Sequence, residues 1–316
     1  MSPHGSYASG ALILGDWGTS RLRLRLATAE GRIIGEAESG DGINTIPAGG
    51  HEAAFEKLVH EWPAVPVILS GMVGSRQGWR EAPYVETPAT PGELATQLVH
   101  FSGNVRPIVI VPGIVRRAAD GAADVMRGEE TQIVGLLDRD PHFAGVAILP
   151  GTHSKWARIA AGGIAGFQTY LTGEMFDLLA HHSFLRHSVA EGAGDVSARP
   201  DFALGVRRTA VEGVPFLATI FSVRTRQLLD NVAREENLAY LSGLVIGGEI
   251  AAAIAAGLLP QGTELRIIGA RSLARAYLRA FEILGRRAEA LDGGGLVTAG
   301  LLHLARAAGL VGGRAT

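Results

Sequence analysis

The chain reads as an α/β protein built from two related lobes. Three observations predict this. Apolar strands interleave with helical patterns along most of its length. The 316 residues suit two domains, at about 100–200 residues per domain. And one short pattern occurs twice. Leu14-Gly15-Asp16-Trp17-Gly18-Thr19-Ser20 runs into Arg21-Leu22-Arg23-Leu24-Arg25-Leu26, and Leu149-Pro150-Gly151-Thr152-His153-Ser154 runs into Lys155-Trp156-Ala157-Arg158-Ile159. Each copy is an apolar strand, a Gly-Thr tip and a second strand opening on a cation.

The elements follow in order. Residues 11–26 read as strand, tight turn and strand, because arginine and leucine alternate strictly in 21–26. Arg32 to Ala37 returns as a third strand after the turn Ala29-Glu30-Gly31. A Gly-rich loop spans Gly40 to Thr45, a helix covers 51–61, and Pro66 to Leu69 is a buried strand. The stretch 83–92, rich in Pro and Thr, reads as irregular; Arg106 to Val111 is a strand, and a helical pattern runs from Asp124 to Leu137. Val146 to Leu149 opens the second hairpin, and 163–170 pairs back on it. Helices are expected over 173–187, 200–211, 215–230, 235–258, 272–285 and from Leu296 to Ala308, with a strand at Leu265 to Ile268. The hairpins make the sheets mixed rather than purely parallel. The boundary is expected just before the second hairpin, giving an N-terminal lobe 11–143 and a C-terminal lobe 144–316 whose last helix can pack back on the first.

Bulk properties exclude several classes. With 29 Lys+Arg against 31 Asp+Glu, no basic surface announces a nucleic-acid or membrane partner. There is no cysteine, so disulfide and thiolate chemistry are excluded and a reducing cytoplasm fits. The Ser/Gly-rich start, Met1 to Gly10, lacks the apolar core of a signal peptide and reads as a loose tail. Leu238 to Leu259 is long and apolar but is interrupted by Gly247-Gly248 and Glu249. A carboxylate at mid-span is costly in lipid, so the run reads as a buried helix or helix pair.

The hairpins carry the chemistry. Gly18 lets the backbone approach an anion, while Thr19 and Ser20 offer hydroxyls and N–H groups to phosphate oxygens. Asp16 at the strand end can hold Mg²⁺ through water. Gly151, Thr152, Ser154 and Lys155 repeat the logic without an acid; Lys155 touches phosphate or is a solvated strand residue. Two such hairpins can grip opposite ends of one polyphosphate, which points to ATP in a cleft between the lobes. Neither a Gly-x-x-x-x-Gly-Lys loop nor Gly-x-Gly-x-x-Gly is present, so the nucleotide site is built differently.

Further candidates surround them. Gly269-Ala270, ending a strand, leaves room for adenine or ribose against the backbone. Gly293-Gly294-Gly295 and Ala299-Gly300 permit close helix packing. Asp124 or Glu129, at a helix start, can take a proton from a substrate hydroxyl; position near a helix N-terminus favours the ionised form. The loop holding Ser70, Gly71, Met72 and Arg76 follows a strand, where α/β proteins bind ligands, and Arg76 can fork onto a carboxylate. Asn44 and Thr45 can read sugar hydroxyls, and Glu174 lies in a similar polar turn. No pair among His181, His182 and His187 has the spacing that puts two imidazoles on one helix face, so no zinc site is expected.

Together these segments resemble the sugar-kinase/actin superfamily and, more closely, the 2-dehydro-3-deoxygalactonokinase family. The resemblance rests on Gly15 to Arg21, Asp41-Gly42-Ile43, Ser70 to Ser75, Asp124 to Gln132 and Leu149 to Trp156, with a weaker match at 265–300. It implies two RNase H-like lobes, each a mixed sheet flanked by helices, and ATP with Mg²⁺. It also implies γ-phosphoryl transfer to the 6-hydroxyl of 2-dehydro-3-deoxy-D-galactonate in galactonate breakdown. Superfamily kinases usually place an aspartate base at the helix start. Here Glu129 stands there and Asp124 lies five residues earlier, so both remain candidates. The alternatives are a kinase for another sugar or sugar acid, a non-enzymatic actin-like ATP switch, and a plain ligand-binding α/β protein. The expected partner is a small sugar acid, and a homodimer is compatible with the sequence.

Overall fold

The computed structural model describes residues 10–118, 121–192 and 194–311. The expected N-terminal tail falls almost wholly outside them. The N-terminal run comprises β1 (Leu12–Trp17), β2 (Leu22–Ala27), β3 (Ile33–Ser39), α1 (His51–Val59), β4 (Val67–Gly71), β5 (Tyr84–Glu86), α2 (Pro91–Thr96), β6 (Val99–Ser102), β7 (Pro107–Ile110), β8 (Gly113–Arg117), β9 (Ala123–Met126) and α3 (Glu129–Arg139). There follow β10 (Gly145–Leu149), β11 (Ser154–Ala160), β12 (Gly163–Tyr170), α4 (Thr172–Asp177), α5 (Pro200–Val206), α6 (Phe216–Thr219), α7 (Ser222–Asp230), α8 (Arg234–Ala255), β13 (Leu265–Gly269), α9 (Arg271–Ile283), β14 (Glu289–Asp292) and α10 (Gly293–Ala307).

The chain divides into two compact units. Unit one holds residues 1–143, 160–166 and 294–316, and unit two holds 144–159 and 167–293. Unit one is built on a six-stranded sheet in the order β3-β2-β1-β4-β7-β6, and unit two on a five-stranded sheet in the order β12-β11-β10-β13-β14. The second order repeats the first five positions of the first. In both, a hairpin is followed by a strand that pairs parallel to the hairpin's first strand: β4 on β1, β13 on β10. The repeated hairpin motif is thus the visible part of a repeated sheet.

Local chemistry accounts for the first hairpin. In β2 the leucines Leu22, Leu24 and Leu26 are buried. The intervening arginines face outward and pair across to β3, Arg21 and Arg23 with Glu38 and Arg25 with Glu36. Period-two alternation therefore sets the register, since a one-residue slip would bury three guanidinium groups.

The expected elements need correction in four places. Asp124 is in β9, opposite Arg116, and α3 starts only at Glu129. Gly128, at φ 109°, breaks the chain direction between them. The stretch 83–92 holds β5 and the start of α2 rather than being irregular. The helix at 173–187 is α4, a π-helical turn over Leu178–His182 and a separate 3₁₀ turn over Phe184–His187. The one at 215–230 is two short helices, α6 and α7. Strands β5, β6, β8, β9 and β14 are too short for their patterns to stand out.

Glycines let helices touch in each unit. In unit one, a Cβ on Gly135 of α3 would lie 2.0 Å from the Leu296 carbonyl, and one on Gly300 of α10 would lie 2.0 Å from that of Thr131. The last helix, which the sequence allowed to pack back on the first lobe, is thereby locked into unit one, helped by His303 on Asp138 at 2.8 Å. In unit two, α5 and α8 cross at Gly205 and Gly243, where added Cβ atoms would meet Tyr240 O at 2.3 Å and Phe202 O at 2.1 Å. Among the described residues α8 alone is long and apolar enough to cross a membrane, and 72% of its apolar window is buried inside the protein. Gly300→Ala should therefore lower unfolding stability by about 1–3 kcal/mol, measured by urea titration, since backbone must shift to admit the methyl.

Candidate active site

In unit one, three chain segments converge on the end of β1. The loop after β3 is pinned to the first hairpin: Ile43 N donates to Gly18 O and Asn44 N to Thr19 O, each at 3.1 Å, and Trp17 Nε1 donates to Asp41 O at 2.8 Å. Asn44 and Thr45 thus stand exposed beside Thr19 and Ser20. From the second segment, Ser70 pairs in register with Asp16, and Gly71 follows at φ 96°. A Cβ on Gly71 would sit 2.8 Å from Trp17 O and 3.6 Å from Asp16 Oδ1. From the third, a Cβ on Gly128 would lie 3.4 Å from the Gly71 Cα. Asp16, Gly71 and Gly128 are therefore stacked, and Glu129 comes next on α3.

The Asp16 carboxyl lies 3.6 Å from Arg23 and lines a cavity of about 130 Å³ with Arg23, Arg25, Gly294 and Thr298. Arg25 donates to Gly294 O at 3.0 Å and also bonds the Thr298 hydroxyl. Burial raises the Asp16 pKa above its ordinary value, opposed by Arg23 and Arg25. Among the described residues no three His, Cys, Asp or Glu side chains gather as a metal cage. A lone carboxylate at a strand end nonetheless suits Mg²⁺, which keeps most of its water and shares its charge with phosphates.

The other candidates fare differently. The Glu129 side chain turns back onto the chain preceding its helix, Oε2 accepting from Arg127 N at 3.1 Å. Arg76 is 83% exposed and its Nε pairs with Glu81 at 3.2 Å. Met72 packs against the apolar core of unit one. Sequence reasoning passed over Glu130 and Thr131, both fully buried at the start of α3. The consecutive acids of Glu129-Glu130 read as first-turn charge preference, and nothing local tells which one turns inward.

In unit two the second hairpin gathers the nucleotide candidates. A Cβ on Gly269 would lie 3.4 Å from Pro150 O, and one on Gly173 would lie 2.3 Å from Gly151 O. A cavity of about 300 Å³ opens here, lined by Pro150, Gly151, Thr172, Ser272, Ala276 and Tyr277 among others. Glu174, in the first turn of α4, packs on the tip of this hairpin: its N–H donates to Thr152 O at 3.0 Å and its carboxylate pairs with His153 at 2.6 Å. Ser154 also departs from expectation. Its hydroxyl is fully buried and donates to Glu249 at 2.8 Å, so it turns away from any phosphate. Lys155 is buried rather than solvated and donates to Thr169 at 2.8 Å. Glu249 takes further hydrogen bonds from Trp156 Nε1, the Tyr277 hydroxyl and the Thr172 side chain. The acid that marks α8 as non-membranous is thus the acceptor joining β11, α4 and α9.

A repeated hairpin-led sheet, an acid on the first hairpin alone and a cavity beside the second define a member of the sugar-kinase/actin superfamily. The fold is shared with the activator of 2-hydroxyisocaproyl-CoA dehydratase from Clostridium difficile, at 12% identity and a TM-score of 0.50 over 94% of this chain and 95% of that one. The chain belongs to the 2-keto-3-deoxy-galactonokinase family, whose model matches residues 16–304. It is 40% identical to a Rhizobium meliloti (strain 1021) protein named as a probable 2-dehydro-3-deoxygalactonokinase, DgoK1, over 92% of this chain and 95% of that one. It is 30% identical to the 2-dehydro-3-deoxygalactonokinase of Escherichia coli (strain K12), over 92% and 96%. A crystal structure from Sinorhizobium meliloti, assigned to the same activity, superposes with a TM-score of 0.88 at 37% identity, covering 95% and 99%. The chain is accordingly a phosphotransferase with an alcohol acceptor.

Proposed function

We propose that this kinase transfers the γ-phosphoryl group of ATP to the 6-hydroxyl of 2-dehydro-3-deoxy-D-galactonate, as a cytoplasmic step of galactonate breakdown. The carrying observation is the stack of Asp16, Gly71 and Gly128, which brings a carboxylate, the end of β4 and the residue before α3 side by side. Phosphoryl transfer asks mainly for positioning and charge neutralisation, because its transition state is loose. In unit two, Gly151, Thr152 and Gly269 with the 300 Å³ cavity suit the nucleotide. In unit one, Thr19 and Ser20 offer donors to phosphate oxygens, and Asn44 and Thr45 offer polar groups to the sugar acid. Asp16 is the carboxylate that would hold Mg²⁺, which when bound neutralises charge on the β- and γ-phosphates.

Glu129 is the better base. It opens α3 beside Gly128 and Gly71, whereas Asp124 sits in β9 across from Arg116. The test is ATP consumption against a panel of 2-keto-3-deoxy sugar acids, run on the parent protein, Glu129→Gln and Asp124→Asn. The galacto acid should be preferred. Glu129→Gln should lose about 10²–10⁴ in kcat, with KM for ATP little changed, and Asp124→Asn should stay near the parent rate. Collapse of Asp124→Asn with an active Glu129→Gln would reverse the assignment; no turnover of any sugar acid would remove the proposed activity.

A further inference from the structure

Glu130, Thr131 and Ser70 form a buried chain that the transfer scheme above does not use. All three are at most 1% exposed. Glu130 Oε2 accepts from Gly128 N at 2.6 Å, which holds the bend preceding Glu129. The Thr131 hydroxyl lies 3.1 Å from Glu130 Oε1 and 2.9 Å from Ser70 Oγ. Ser70 in turn is the register partner of Asp16 on β1. Thr131 has one proton and two neighbours that could receive it, so its hydrogen bonds must take one of two directions.

We infer that Glu130 is a positioning residue for phosphoryl transfer, acting through Thr131 to set the polarity of the Ser70 hydroxyl beside Asp16. With Glu130 protonated, its O–H donates to Thr131, Thr131 donates to Ser70, and the Ser70 proton is free to face the site. With Glu130 ionised, Thr131 donates back to it, Ser70 donates to Thr131, and Ser70 offers the site only lone pairs. The inference rests on Asp16 and Glu129 forming the transfer site.

The surroundings favour the protonated arrangement. Burial, and then the neighbouring Glu129, push the Glu130 carboxyl up to about 8, against hydrogen bonds from backbone N–H groups and the charge of Arg127. Asp16 lies beyond Ser70, and the β4 segment Val67–Gly71 brings no other charge. On α10, His303 pairs with Asp138 and Arg306 donates to the Ala29 carbonyl. The donor form therefore prevails at neutral pH and is lost in mildly alkaline solution.

The test compares kcat between pH 6 and 10 for the parent, Glu130→Ala, Glu130→Gln and Thr131→Val, with ATP and the sugar acid. Glu130→Ala and Thr131→Val should each lose about tenfold or more in kcat with KM for ATP unchanged, the rate equivalent of one hydrogen bond. Glutamine copies the protonated acid, so Glu130→Gln should restore most of that loss. It should also abolish the parent's decline above about pH 8. Urea unfolding reads the same proton without catalysis. A pKa raised by folding gives stability that is whole below the unfolded value and declines as pH rises through the folded one. The parent should thus weaken relative to Glu130→Gln as pH rises from 5 to 9. An alkaline decline kept by Glu130→Gln, or a Thr131→Val enzyme at the parent rate, overturns the inference. If unfolding behaves as expected but Glu129→Gln is fully active, the proposed base is at fault and the buried proton stands.

Discussion

Asp16→Ala should abolish turnover with Mg·ATP while leaving the protein folded. Charge neutralisation at a transferring phosphoryl group contributes several kcal/mol, and each 1.36 kcal/mol is tenfold in rate, so a loss of about 10³-fold or more is expected. The fold should survive because Asp16 is not a structural hub: its side chain is 35% exposed, and the cations near it have other partners, Arg23 with Glu38 and Arg25 with Glu36. Burial raises the Asp16 pKa, so the ionised carboxylate opposes folding. Its contribution is complete below the unfolded value and lost as pH rises through the folded one, so at pH 7 the variant should melt no lower than the parent. Steady-state rates with excess Mg²⁺, beside a thermal melt, check both halves. Normal turnover would remove the first hairpin from the chemistry.

Glu249→Leu should be the most damaging change to stability. Its carboxylate is the shared acceptor for Ser154 Oγ at 2.8 Å, Trp156 Nε1 and the Tyr277 hydroxyl, all buried. Leucine would leave these donors without a partner. Stranding a buried polar group costs about 1–3 kcal/mol, so a loss of at least about 3–5 kcal/mol is expected. That is a large share of the roughly 5–15 kcal/mol that holds a domain together. Glu249→Gln should cost far less, about 1 kcal/mol. Its amide oxygen can still accept from Ser154 and Trp156, and the Tyr277 hydroxyl can turn to accept from the amide N–H. Burial also raises the Glu249 pKa despite these hydrogen bonds. The parent's stability should therefore be greatest in acid and decline as pH climbs above the unfolded value near 4.5. Urea titrations of both variants decide it: equal losses would mean that packing volume, not the donor set, is what Glu249 supplies.

The site was unevenly legible. Gly18, Thr19, Ser20 and Asp16 could be picked out as candidates because hairpin chemistry is local, and the Gly-Thr tip is repeated. Gly300 announced a close helix contact because small residues cluster there, although its partner Gly135 could not be named. Asp124 was misplaced because an acid before an apolar pattern looks like a helix start; the bend that separates it from α3 is at Gly128, at φ 109°, held by Glu130. The pairing of Arg76 with Glu81 was not legible because both lie in one loop with no periodicity to reveal it. That Glu174 reaches His153, 21 residues away, was not legible, because the contact forms only once α4 packs on the tip of the second hairpin.

By itself the sequence determined the α/β class, the duplicated hairpins, the alternation of β2, the family and a buried rather than membrane-spanning α8. These depend on side-chain period, turn chemistry and short motifs, all acting within a few residues along the chain. Tertiary structure alone decided that α10 packs against α3, that Asp124 lies in a strand, and that Ser154 turns inward. It alone revealed the chain through Glu130, Thr131 and Ser70. Those outcomes are set by partners far apart in sequence, 61 residues for Thr131 and Ser70 and 95 for Ser154 and Glu249. A buried donor must find an acceptor wherever the fold provides one, and no local pattern records where that is.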